Sequence, residues 1–224
     1  MSISQEVKSK VRNDWLQAFP ELTAYSQINF YKIAGAVIYG VEIIKSSRSD
    51  RYRPFFDIYP LWKNDVLKCM KSSFLFIEIE NKKNLQFNIP YNEHEKYFEE
   101  AVFCTRKHIQ MPFEGNVPLK SIYKVIEQNA PTHDASGIVK SYILKLHLLL
   151  YLERNKEIEK LLREIEKNRQ KLLGSFFEHF FGSFDVWFQN LKESLSDRDK
   201  FLKQIEINKQ DKKLQKMIIS EIID

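Results

Sequence analysis

Glycine is scarce in this chain, six residues among 224. None of the six falls in a G-x-G-x-x-G or G-x-x-x-x-G-K-[ST] arrangement, which excludes the phosphate cradles of dinucleotide-binding and P-loop proteins. No G-x-S-x-G occurs either, so the nucleophile elbow of an α/β-hydrolase is missing. The two cysteines, Cys69 and Cys104, are too few and too far apart for a disulfide framework or a zinc cluster, and read as reduced thiols. Long apolar runs are lacking too. The longest, IVKSYILKLHLLLYL at 138–152, contains Lys140, Lys145 and His147, whereas a spanning helix needs about 20 apolar residues. It reads as a buried helix, and no membrane contact is expected. The opening MSISQEVKSKVRNDW has no apolar segment of the secretory kind, so a cytoplasmic protein is expected.

What is present is a composition of 43% hydrophobic and 13% aromatic residues, which at this length supports a folded core rather than a disordered chain. The apolar spacing of Val7, Val11, Trp15, Leu16 and Phe19 predicts a first helix from Gln5 to Phe19, ended by Pro20. The pattern then turns to β. INFYKIAGAVIYGVEIIK holds two β-branched and aromatic runs around Ala34-Gly35 and reads as a hairpin. Phe55–Tyr59 is a third strand between Pro54 and Pro60, and 74–80 with 85–89 make a second hairpin. There Leu75, Ile77, Ile79, Leu85, Phe87 and Ile89 alternate with polar residues, predicting an antiparallel sheet with one apolar face. Beyond Pro90 the expectation is helix throughout, at about 91–110, 118–129, 134–154, 156–173, 175–194 and 197–223. The fold class is therefore α+β. A helix and a sheet of about five strands occupy 1–90, and an all-helical region, 91–224, packs on the first as one unit.

Charge is unevenly placed. Of a net +5, the segment 45–71 carries seven cations against three acids. Within it Arg48, Arg51, Arg53 and Lys63 alternate with Tyr52, Phe55, Phe56, Tyr59 and Trp62, a mixture that suits an acidic protein surface or, with the rings stacking on bases, a nucleic acid. Arg48, Arg51, Tyr52, Arg53, Tyr59 and Trp62 are the candidate binding residues. No recognised nucleic-acid-binding motif accompanies them.

Two constellations could bear catalysis or metal. Asp57 followed by Glu80-Asn81-Lys82 resembles the D…(E/D)xK pattern of metal-dependent restriction-type nucleases, in which the acids hold Mg²⁺ and the lysine positions or activates water. Asp57, Glu80 and Lys82 would be the catalytic residues of that alternative, with Mg²⁺ as cofactor. Glu100, Cys104 and His108 share a helix edge but lack a fourth ligand, so no metal and no cofactor is otherwise expected.

The most unusual stretch is GSFFEHFFGSFDVWF at 174–188. On a helical wheel Phe176, Phe177, Phe180, Phe181, Phe184, Trp187 and Phe188 fall within an arc of about 140°, opposite Glu178, His179 and Asp185. The acidic far side disfavours a lipid target. This face is expected in the core of its own chain or at an interface, including one between copies of the chain.

In general plan, a first helix and a hairpin-rich sheet around FYKIAGAVIYGVEIIKSS ahead of a helical tail, the first ninety residues resemble small bacterial proteins of unknown function, some of which act as immunity partners in toxin systems. The resemblance implies a protein that binds and blocks another protein. The leading expectation is thus a non-enzymatic interaction module, immunity- or defence-associated, with a protein partner. A nucleic-acid-binding protein or Mg-dependent nuclease is the alternative.

Overall fold

A computed structural model describes residues 3–46, 49–129, 135–173 and 177–224. Helix α1 (Gln5–Ala18) begins at Ser4, whose hydroxyl accepts the Val7 amide at 3.3 Å, and it delivers Val11 and Trp15 to the core. Strands β1 (Thr23–Ala24), β2 (Asn29–Ala34), β3 (Val37–Lys45) and β4 (Arg51–Pro60) follow. Next come α2 (Val66–Met70), β5 (Leu75–Glu78), β6 (Ile89–Pro90), α3 (His94–His108), β7 (Val117–Pro118) and α4 (Leu119–Asn129). Then α5 (Ala135–Tyr151), α6 (Asn155–Lys167), α7 (Arg169–Leu173), α8 (Phe177–Phe181), α9 (Phe184–Ser194) and α10 (Arg198–Lys209) precede the short strands β8 (Ile219–Ser220) and β9 (Ile222–Ile223). The fold is α+β, with an N-terminal helix, an antiparallel sheet in the order β1-β2-β3-β4-β5, and helices through the C-terminal half.

The β2–β3 hairpin turns at Gly35, whose φ of +49° is a left-handed conformation that other residues adopt at a cost. Space also demands glycine there, because an added Cβ would lie 2.7 Å from the Tyr151 ring.

The expectation of a single apolar face holds for β5 and fails for the centre of the sheet. Leu75 and Ile77 are buried while Phe76 and Glu78 are exposed, as alternation requires. Strands β2, β3 and β4 instead run buried residue after residue, because helices cover both faces. Phe30, Tyr39, Val41, Tyr52 and Phe56 meet α1, α3 and α4 in one cluster, whereas Tyr31, Ile33, Ile38 and Tyr59 meet α5, α6 and the later helices in the other. Leu85 does not join the apolar face. It is 61% exposed, and the expected second hairpin is reduced to a single bridge between Glu80 and Gln86.

Three helical expectations are corrected, the first being 156–173, which is divided at Asn168 between α6 and α7. The stretch 175–194 is not one helix: Gly182, with φ +73°, separates α8 from α9, and the Ser183 hydroxyl then caps α9 by accepting the Val186 amide at 3.4 Å. Nor does a helix run over 197–223. It ends at Lys209, and β8 pairs in parallel with β2 while β9 pairs in parallel with β7. The end of the described chain thus completes the edge of its first hairpin. Among the described residues no helix is long and apolar enough to cross a membrane.

Candidate functional site

Strand alternation sorts the basic aromatic segment. Along β4, Tyr52 and Phe56 point to the α1 side, and Arg53, Asp57 and Tyr59 to the other. Tyr52 is fully buried, and its hydroxyl meets His94 Nδ1 at 2.7 Å. His94 Nε2 lies 2.9 Å from Asp14 Oδ2, so this chain of bonds ties α1, α3 and the sheet together. Tyr59 is buried on the opposite face, donating to Glu42 Oε1 at 2.6 Å. Trp62 stacks on His147, with ring centroids 4.5 Å apart and planes 8° from parallel. Arg53 is half-buried and donates to Gln86 Oε1 at 2.7 Å, while Arg51 is exposed. Arg48 lies outside the described residues. Tyr52, Phe55, Phe56 and Tyr59 are therefore core residues, whereas Trp62 is half-buried beside the half-buried Lys63. A period of two along RYRPFFDIYP turns Tyr52 and Phe56 away from Arg53 but leaves Tyr59 on the same face as Arg53, so depth in the sheet rather than face separates that ring from the cation.

Asp57, Glu80 and Lys82 do not converge. Asp57 stands opposite Phe76, and Glu80 lies four residues further along an extended chain, about 13 Å away at strand spacing. Lys82 is turned toward α3, where its ammonium sits 5.6 Å from the centre of the Phe103 ring. Asp57 itself is 1% exposed. Burial is the main cause that pushes its carboxyl up to about 8, against the opposing hydrogen bond that Ser73 Oγ donates at 2.7 Å. Much of it is protonated at neutral pH, a poor state for holding a divalent cation.

Nearby, Glu42 Oε1 accepts the hydroxyls of both Tyr31 and Tyr59. Burial raises both phenols far above their ordinary range, so they remain donors. Glu42 lies inside the apolar run VEII, which gave no sign that it would be held by two tyrosines. Among the described residues no three His, Cys, Asp or Glu side chains gather as a metal site, and Glu100, Cys104 and His108 form none.

Of the aromatic stretch, Phe177, Phe184, Trp187 and Phe188 are buried in the cluster that contains Val139, Leu146 and Leu150 of α5. Phe181 packs at its margin, and Phe180 is 60% exposed. Phe176 lies outside the described residues. The break at Gly182 lets two short helices turn their rings toward the same neighbour.

The feature that sequence reasoning missed is a cleft of about 620 Å³ between α1, the β1–β2 connection and the end of β3. Gln5, Lys8, Ser9 and Arg12 line it from α1, spaced by three and four residues so that they share one helix face. Lys45 comes from β3, and its register opposite Tyr52 puts it on the α1 side of the sheet. Val11, Phe30, Ile43 and Tyr91 form an apolar floor. No Asp or Glu lines the cleft among the described residues. Among the described residues Lys8, Arg12 and Lys45 make no ion pair there, and the Arg12 guanidinium has only Asn13 Oδ1, at 3.4 Å. Lys10, on the other side of α1, meets both Asp14 and Glu95 at 3.3 Å. The cleft thus gathers three uncompensated cations around an apolar floor, a geometry that concentrates positive potential. No family model, curated protein or solved structure matches the chain.

Proposed function

We propose that the chain is a non-enzymatic binding protein that recognises an anionic group of its partner at the cleft between α1 and β3. The observation that carries this reading is the lack, among the described residues, of any carboxylate to balance Lys8, Arg12 and Lys45. Unpaired cations also occur elsewhere on the described surface; what sets Lys8, Arg12 and Lys45 apart is that they line one concavity together. Cations left unpaired around a concavity gain from an incoming anion, and the low-dielectric walls strengthen that gain. The acids that could have served chemistry, Glu42 and Asp57, are instead occupied by hydroxyl donors in the core. A cytoplasmic immunity- or defence-type role, of the kind the general plan resembles, would be exercised by binding at this surface.

Charge reversal tests the proposal. Native mass spectrometry and pull-down from the source cell, run with the wild-type chain and with Lys8→Glu/Arg12→Glu, should recover a bound species from the first that salt releases and the second lacks. Equal recovery from both chains, or cleavage of added DNA or RNA that is lost in Asp57→Ala, overturns it.

A further inference from the structure

We infer that the cleft takes a phosphorylated small molecule with an apolar, ring-bearing body, of the nucleoside diphosphate type. The inference rests on the reading of the cleft as an anion site. Lys8 and Arg12 approach from the helix wall and Lys45 from the sheet wall, so positive charge arrives from two sides of one concavity. A single side-chain carboxylate carries one negative charge, whereas even a phosphate monoester carries about −1.5 to −2 at pH 7 and offers three acceptor oxygens. A compact polyanion therefore matches three converging cations better than a run of separate carboxylates does. Arg12 supplies the planar fork suited to paired phosphate oxygens.

Charge alone would admit inorganic phosphate, but the floor argues for more. Val11, Phe30, Ile43 and Tyr91 are already buried beneath the cleft, but Ile28, 41% exposed, and the half-buried Ala24 and Tyr25 also line it; these give an inorganic ion nothing, while an apolar body on the ligand would cover them. At the rim, Gln27 is exposed, leaving its amide accessible to ring heteroatoms. A volume of about 620 Å³ lies within the range of small-ligand sites.

Calorimetric titration of the full chain with ADP, inorganic pyrophosphate, adenosine and a tetraglutamate peptide tests this. ADP is expected to bind, pyrophosphate about tenfold or more weaker, and adenosine and tetraglutamate not measurably. Lys8→Glu/Arg12→Glu should abolish ADP binding and the milder Arg12→Gln should weaken it. Lys120→Glu/Lys124→Glu, the same change of charge at exposed positions of α4, should leave it intact. Pyrophosphate or tetraglutamate binding as tightly as ADP, and lost in the double variant, overturns the nucleotide inference and leaves the anion site standing. Absence of binding by every probe, or ADP binding that survives the double variant, overturns both.

Discussion

The Ser73 hydroxyl donates to Asp57 Oδ1 at 2.7 Å, and this bond holds a carboxyl inside the sheet that water would otherwise solvate. The carboxyl titrates at about 8 rather than its ordinary 3.8, chiefly through burial. Between those values the unfolded chain has released the proton and the native chain keeps it. The stability linked to Asp57 is thus fully present below 3.8 and lost as pH rises through about 8. Asp57→Asn keeps an acceptor for Ser73 without the charge. We expect it to raise the unfolding free energy by an amount on the order of 5 kcal/mol near pH 9 and to leave it nearly unchanged near pH 4, read by urea denaturation.

His147 gives the opposite slope. Burial lowers its imidazole from 6.5 to about 4, with Lys63 adding to the effect and the hydrogen bond to the Ile143 carbonyl opposing it. Here the unfolded chain takes up the proton first. The linked stability is complete above 6.5 and lost as pH falls through about 4. His147→Phe, which preserves a ring for Trp62 to stack on, should flatten the acid side of the melting-temperature profile by an amount on the order of 2 kcal/mol.

Gly35 and Gly115 separate two effects that usually come together. Both have positive φ, +49° and +62°, but a Cβ at Gly35 strikes Tyr151 and one at Gly115 meets nothing within 4 Å. Gly115→Ala should cost about 1 kcal/mol from backbone conformation alone, and Gly35→Ala about 2–4 kcal/mol. Equal costs in chemical denaturation would show that the Tyr151 ring gives way.

Ile222 is 4% exposed, and its side chain lies close to Gly35. Ile222→Ala should destabilise by about 2–4 kcal/mol, whereas the partly exposed neighbour Ile223 should tolerate alanine at a cost of about 0.5 kcal/mol or less. Thermal unfolding of the two variants makes the comparison.

The sequence disclosed what depends on local period. Helix α1, the Gly35 hairpin and the alternation of β5 follow from spacing between near neighbours, and so does the inward aim of Phe177, Phe184 and Phe188, though not of Phe180, which is exposed. Gly182 was visible as a residue, but its left-handed φ was not, because a glycine in a helical pattern does not announce which conformation it takes. Strands β8 and β9 are two residues each within IISEIID, too short to carry a period, and their pairing is decided by open edges on β2 and β7. The cleft was least legible. Its walls come from residues 5–12, 24–30, 43–45 and 91, and no single window of sequence contains the coincidence of three cations without an acid.

The parallel seat of β8 on β2 also sets an order of events. Ile33 and Ala34 pair with Ile219 and Ser220, so while β1 covers Phe30 and Tyr31, the turn end of that edge stays unfilled until the distant residues of β8 have been synthesised. During that interval β2 offers backbone donors and acceptors to any extended chain nearby. Closing so long a loop slows folding, and it lengthens the time in which that edge can recruit a neighbouring nascent chain.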